Sequence, residues 1–169
     1  APDGLMSLWA DLAYLALFGG RLDESECLAR QCIALGEEIG SLQGTIWGYR
    51  RLGQVMIVAG RHDEADASLT KGLEEAKELR WSYEATSALL YAGMAKLHLG
   101  DYEEASELVA ECLHIARDHN YLRNVGLGLW VQGRVFVARN AFSEAYQALQ
   151  ESIDVLEGFG PRRELGPVH

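Results

Sequence analysis

A spacing of forty residues, kept without an insertion through most of the chain, constrains this sequence more than any other feature. Gly20 is followed at that interval by Gly60, Gly100 and Asn140, and Glu24 by Glu64, Glu104 and Glu144. Ser25, Ala65, Ala105 and Ala145 stand next in register, then Ala29, Leu69, Val109 and Leu149, then Ile33, Leu73, Leu113 and Ile153. A fixed period of this size marks a stacked repeat array. One unit cannot bury its apolar face alone, so it buries it against the units on either side.

Each unit divides at its glycine into two helical stretches. In the second unit Tyr49, Leu52, Gly53 and Met56 recur at i, i+3, i+4 and i+7, and after the turn Ala65, Leu69, Gly72 and Leu73 do the same. Gly60 stops the first helix because it adopts the left-handed conformation without a Cβ penalty, and Asn140 replaces it where asparagine tolerates that conformation. Asp63 and Glu64, or Glu103 and Glu104, fall in the first turn of the next helix, where the dipole favours negative charge. The three prolines stand at 2, 161 and 167, outside every helix interior. This division predicts eight helices, near 4–18, 22–38, 42–58, 62–79, 82–98, 102–118, 122–138 and 142–157. The fold class is all-α: a solenoid of four antiparallel helix pairs over residues 1–160, with units 1–40 (halves 1–20 and 20–40), 41–80, 81–120 and 121–160. Residues 161–169 read as a frayed tail or the start of a further helix.

These residues resemble tetratricopeptide repeats, helix-turn-helix units stacked into a right-handed superhelix. That pattern is a large residue, Leu-Gly and an aromatic in the first helix, a glycine turn, then Ala, a large apolar residue and a small one. It reads here as Tyr49, Leu52, Gly53, Met56, Gly60, Ala65, Leu69 and Gly72, and "GDYEEA" at 100–105 is a near-ideal turn. The third copy has Leu89, Ala92, Gly93 and Lys96, the fourth Leu129, Gly133 and Phe136, and the first, the loosest, Trp9, Leu12 and Ala13. The forty-residue period departs from the usual thirty-four of that family. It is similar to the long repeats of MalT-like bacterial activators, multidomain nucleotide cyclases and animal polarity scaffolds.

Composition excludes several functions. A net charge of −10 is unsuited to direct nucleic-acid binding, which needs clustered Lys and Arg. No apolar run approaches bilayer length, so no membrane span is expected. The absence of a leader and of an initiator methionine suggests a fragment or processed form of a longer protein. Cys32 and Cys112 occupy the position of Gly72 and Ser152 in the other units, which marks them as small packing residues, and free thiols suit a cytoplasmic location. His62, His98, His114, His119 and His169 lack metal-ligand spacing. "GLGLWVQGR" lacks the Lys-Ser/Thr ending of a phosphate loop and lies inside a helix. No catalytic residue, metal or cofactor is expected.

In the family resembled, the first helix of each pair lines the concave groove. A second stripe on these helices is therefore the candidate binding surface: Trp47, Arg50, Arg51 and Gln54 in unit two, Tyr91, Met94 and His98 in unit three, Trp130 and Arg134 in unit four, and Tyr14 in unit one. Ser87, Val58 and Phe18 extend it. Most of the acidic excess lies on the second helices, leaving the first neutral to basic. Aromatic and arginine side chains are common interface anchors, and Arg50 and Arg134 are each suited to grip a carboxylate through two parallel hydrogen bonds. The expected function is a protein-interaction module of a larger signalling or regulatory protein, taking an acidic or apolar peptide or partner domain. The alternatives are a small-molecule-sensing domain of a bacterial regulator or cyclase, or a homodimer scaffold.

Overall fold

A computed structural model describes residues 2–159. They form eight α-helices and, among the described residues, no strand. The helices are α1 (Pro2–Phe18), α2 (Leu22–Ile39), α3 (Leu42–Val58), α4 (His62–Glu78), α5 (Ser82–Leu99), α6 (Tyr102–Asp118), α7 (Leu122–Ala138) and α8 (Phe142–Phe159). The all-α repeat expected from the periodicity is the architecture found. α1 begins two residues earlier than expected because Pro2 sits in the first turn, where its missing N–H has no helical partner to lose. The expectation for 161–169 lies outside the described residues.

Every joint is built alike. The backbone is left-handed at Gly20, Gly40, Gly60, Arg80, Gly100, Asn120 and Asn140, with φ between 52° and 87°. The N–H of the following residue then bonds to the carbonyl five positions back at 2.8–3.0 Å, from Arg21 to Ala16 through Ala141 to Phe136. This closing bond satisfies a carbonyl that a helix end would otherwise leave without a partner. Turns thus recur every twenty residues. Those inside units are announced by residue type, whereas Gly40, Arg80 and Asn120, between units, share none.

α1 packs on α3, α3 on α5 and α5 on α7, while the backbones of α2, α4, α6 and α8 pack only against helices consecutive with them in the chain, the second helices meeting one another through long side chains alone. The first helices form a continuous inner layer and the second helices a splayed outer one, which is a superhelix with the first helices on its concave side. The two helices of a unit approach closely because a glycine on one admits a branched side chain from the other. An added Cβ at Gly93 would lie 2.6 Å from Val109 Cγ2, and one at Gly133 2.6 Å from Leu149 Cγ. Gly53 faces Leu69 in the same way. In unit one both partners are alanine, Ala13 and Ala29, and both are fully buried. Between units, Gly48 faces Ile33 and Gly128 faces Leu113.

Cys32 and Cys112 are buried free thiols, as their register implies, and they also donate hydrogen bonds. Cys112 Sγ donates to the Thr86 carbonyl at 3.4 Å and Cys32 Sγ to those of Gly44 (3.2 Å) and Met6 (3.5 Å). Ser152 Oγ, at the same register, donates to the Gly126 carbonyl at 2.7 Å. Burial pushes the Cys32 thiol up to about 11 and the Cys112 thiol up to about 12, so both stay protonated donors.

The outward face of α1 is unusual. Leu5, Leu8, Leu12 and Leu15 are 43–61% exposed, although the same register in α5 holds the buried Ala85, Ala88, Ala92 and Ala95. Among the described residues, no helix is long and apolar enough to cross a membrane.

Two substitutions test this account in opposite directions. Gly93→Leu is expected to destabilise the fold by about 1–3 kcal/mol or more through overpacking against Val109. Arg80→Gly is expected to raise stability by about 1 kcal/mol, because a non-glycine residue pays a penalty of that order in the left-handed region. Urea unfolding of the two variants beside the parent reads both. A Gly93→Leu protein that unfolds with the parent would refute the packing register.

Candidate partner-binding groove

The inner layer places residues of equal register side by side, so the expected stripe becomes a surface crossing four parallel helices. Its centre is the Arg50–Arg51–Gln54 face of α3. Arg50 Nε lies 2.6 Å from Glu84 Oε2 of α5, and the two side chains are only 14% and 4% exposed. Arg51 is buried as well. Its Nε donates to the Ala10 carbonyl at 3.0 Å, another N–H donates to Gln54 Oε1 at 3.0 Å, and its guanidinium lies 4.4 Å from the centre of the Tyr14 ring. The nearest carboxylate is Asp11, at 4.0 Å and largely exposed. Burial, followed by the charge of Arg50, lowers the Arg51 guanidinium to about 10. It therefore remains a cation at neutral pH.

Two adjoining recesses open on this surface. The polar one, about 280 Å³, takes Tyr14 from α1, the three α3 residues, Tyr83, Ser87 and Tyr91 from α5 and Arg123 from α7. Residues from all four units thus meet there. The apolar one, about 180 Å³, takes Leu17 and Phe18 from α1, Ile57 and Val58 from α3 and Met94 from α5. Tyr14, Gln54 and Tyr91 border both. On α1, α3 and α5 the residues found only in the apolar recess follow those of the polar one in the chain, nearer the carboxyl-terminal end of the helix.

No protein-family model matches the chain. Its fold has clear counterparts among solved structures. A Rap protein complexed with competence and sporulation factor aligns with a TM-score of 0.83 and 17% identity, over 92% of this chain and 43% of that one. BtubC (BKLC) from P. vanneervenii aligns at 0.78 and 17% identity, over 100% of this chain and 72% of that one. A Podosopora anserina putative kinesin light chain with TPR-like repeats aligns at 0.66 and 16% identity, over 91% and 76%. The fold is TPR-like. Among curated proteins, response regulator aspartate phosphatase J of Bacillus subtilis (strain 168) is 26% identical over 114 residues, covering 64% of this chain and 30% of that protein. The chain therefore spans less than a third of that relative's length.

Within the TPR-like frame, Tyr14, Arg50, Arg51, Gln54, Tyr91 and Met94 line the two recesses. The other four expected groove residues do not. Trp47 is half-buried against the Met6, Ala10 and Cys32 cluster and meets Trp81 edge-on, with ring centres 5.9 Å apart. Trp130 and Arg134 stack on each other, the guanidinium 5.2 Å from the ring centre. His98 stacks on His62 at 4.5 Å, and burial, then His62, then Arg134 hold it below the usual histidine value. Tyr83 and Arg123 were not foreseen. Tyr83 stands one turn before Ser87, and Arg123 stands forty residues after Tyr83, so carrying the stripe one turn further toward the helix starts finds both. Among the described residues, no group of three His, Cys, Asp or Glu side chains is placed to hold a metal.

Arg50 is thus a structural ion-pair partner, and reversing its charge would not leave stability unchanged, as a free groove arginine would. Arg50→Ala strands the buried Glu84 carboxylate and is expected to cost about 3–5 kcal/mol. Arg123→Ala, on an exposed side chain with no hydrogen bond or ion pair among the described residues, should stay within about 0.5 kcal/mol of the parent. Thermal melts of the two variants separate these roles, and equal melting temperatures would remove the assigned importance of the Arg50–Glu84 pair.

Proposed function

We propose that this chain is a protein-interaction module that holds a peptide segment of a partner in its concave groove, as part of a signalling or regulatory protein. The observation that carries the reading is the convergence of the four first helices on one recess beside an apolar one, which gives an extended segment polar and apolar contacts in one place. Concave surfaces of stacked repeats suit extended ligands, and arginine and tyrosine are favoured interface anchors. The Rap structure similar in fold is itself a complex with competence and sporulation factor. The reading assigns the chain a binding role and no catalytic step.

A second reading, self-association, draws on α1. Leu5, Leu8, Leu12 and Leu15 follow the alternating three- and four-residue spacing of a coiled-coil seam, and they are exposed where the internal alanines are buried. A second copy presenting the same seam is the partner proposed for it. A native mass spectrum showing monomer alone at micromolar concentration would dispose of it.

Peptides selected from a random display library against this chain test the groove reading. They are expected to bind Arg123→Glu about tenfold more weakly than the parent, the loss of one charge-assisted contact, at an unchanged melting temperature. Selected peptides that bind parent and variant equally would place the partner surface elsewhere.

A further inference from the structure

The two recesses differ in chemistry, and their arrangement narrows the ligand. We infer that the groove takes an extended peptide in which acidic and apolar residues alternate, its acids turned toward Arg51 and Arg123 and its apolar side chains toward Phe18, Val58 and Met94. This deepens the groove reading and rests on it.

The first part of the argument is charge. The Arg50 cation is already answered by Glu84 at 2.6 Å. Arg51 has no such partner, since its nearest carboxylate is the exposed Asp11 at 4.0 Å, although the guanidinium itself is buried. Arg123 forms no ion pair among the described residues and lies on the opposite wall of the same recess, on α7. Two cations without close counter-charges therefore flank one polar recess. A carboxylate placed between them regains the Coulomb energy that a basic or neutral group would forgo, and it accepts planar guanidinium donors well.

The second part is geometry. Tyr14 and Gln54 are forty residues apart, and together with Tyr91 they border both recesses. The first helices run parallel, so a segment lying along the groove crosses them and has the polar recess on one flank and the apolar recess on the other. Successive side chains of an extended backbone point to opposite sides, rising about 3.3 Å per residue. Alternation of two residue classes along such a backbone sends one class to each flank. A peptide with its acids in one block and its apolar residues in another cannot satisfy both flanks at once. Three adjacent first helices, spaced 8–10 Å apart, are spanned by about six extended residues.

The test uses three dye-labelled, acetylated and amidated hexapeptides in fluorescence anisotropy. One alternates Glu and Leu, one has three Glu followed by three Leu, and one alternates Lys and Leu. The alternating Glu-Leu peptide is expected to bind about tenfold more tightly than its block isomer, and the Lys-Leu peptide not to bind. Arg123→Glu and Val58→Glu, both on exposed side chains, should each weaken the alternating peptide about tenfold. Equal affinity for the two Glu-Leu peptides, insensitivity to both substitutions, or no binding of the alternating peptide would overturn the inference. If display-selected peptides still lose affinity for Arg123→Glu while the alternating hexapeptide is no better than its isomer, the alternation falls and the groove reading stands. If the selected peptides ignore both substitutions, the two fall together.

Discussion

The hydrogen bond that closes each joint, from the residue after the left-handed position to the carbonyl five residues earlier, is the constraint on which the remaining structure depends. It ends each of the first seven helices within one residue of the same point of a twenty-residue half-unit, so the first helices keep a length of 17 or 18 residues and one phase. One added residue would rotate everything beyond it on that helix by about 100°. Tyr14, Gln54 and Met94 would then no longer share a face, and the two recesses would not form. The regularity that looks like mere repetition in the chain is therefore what assembles a surface from four separate helices.

Size complementarity supplies the cohesion that the joints alone do not. Gly48, Gly53, Gly93, Gly128 and Gly133 on the first helices each let a Leu, Val or Ile sit against the backbone, and unit one reaches a comparable fit with Ala13 and Ala29. The outer helices also carry ion pairs between units, such as Lys77–Glu111 and Arg117–Glu151 at 2.8 and 2.9 Å. All four side chains are 43–53% exposed, and surface pairs of this kind contribute about 0–1 kcal/mol each. The stack is held by its packed seams, and the outer acidic face is left mainly to solvation.

The architecture was legible because the features that set it are local and periodic. Gly20, Gly60, Gly100 and Asn140 announce the turns inside units by residue type. Arg80 does not announce its own, because arginine has no intrinsic preference for the left-handed conformation it adopts there. The groove was half legible. A stripe of equal register finds Tyr14, Arg50, Arg51, Gln54, Tyr91 and Met94, since equal register means adjacency in a stack. It cannot reveal that Glu84, thirty-four residues away, occupies Arg50, or that Arg134 lies on Trp130, because those pairings depend on rotamers and on the offset between helices. Tyr83 and Arg123 stand one turn nearer the helix starts than that stripe, at a register its residues do not mark.

Arg51 connects the packing to the proposed function. A buried guanidinium is expensive to desolvate. Here the Ala10 carbonyl, Gln54 and the Tyr14 ring offset part of that penalty without supplying a close negative charge. An apolar residue of similar volume would fill the same space without the desolvation penalty, so the cation is better explained by what it faces than by what it packs against. Around it the protein as a whole carries a charge of −10. On the proposed reading, an acidic ligand is repelled by the outer surface and attracted within the groove, at distances below the roughly 8 Å screening length of physiological salt. Acid alone is not enough to bring a ligand that close. The adjoining Phe18, Val58 and Met94 supply short-range apolar attraction, and a ligand must offer both chemistries on opposite flanks to benefit from both.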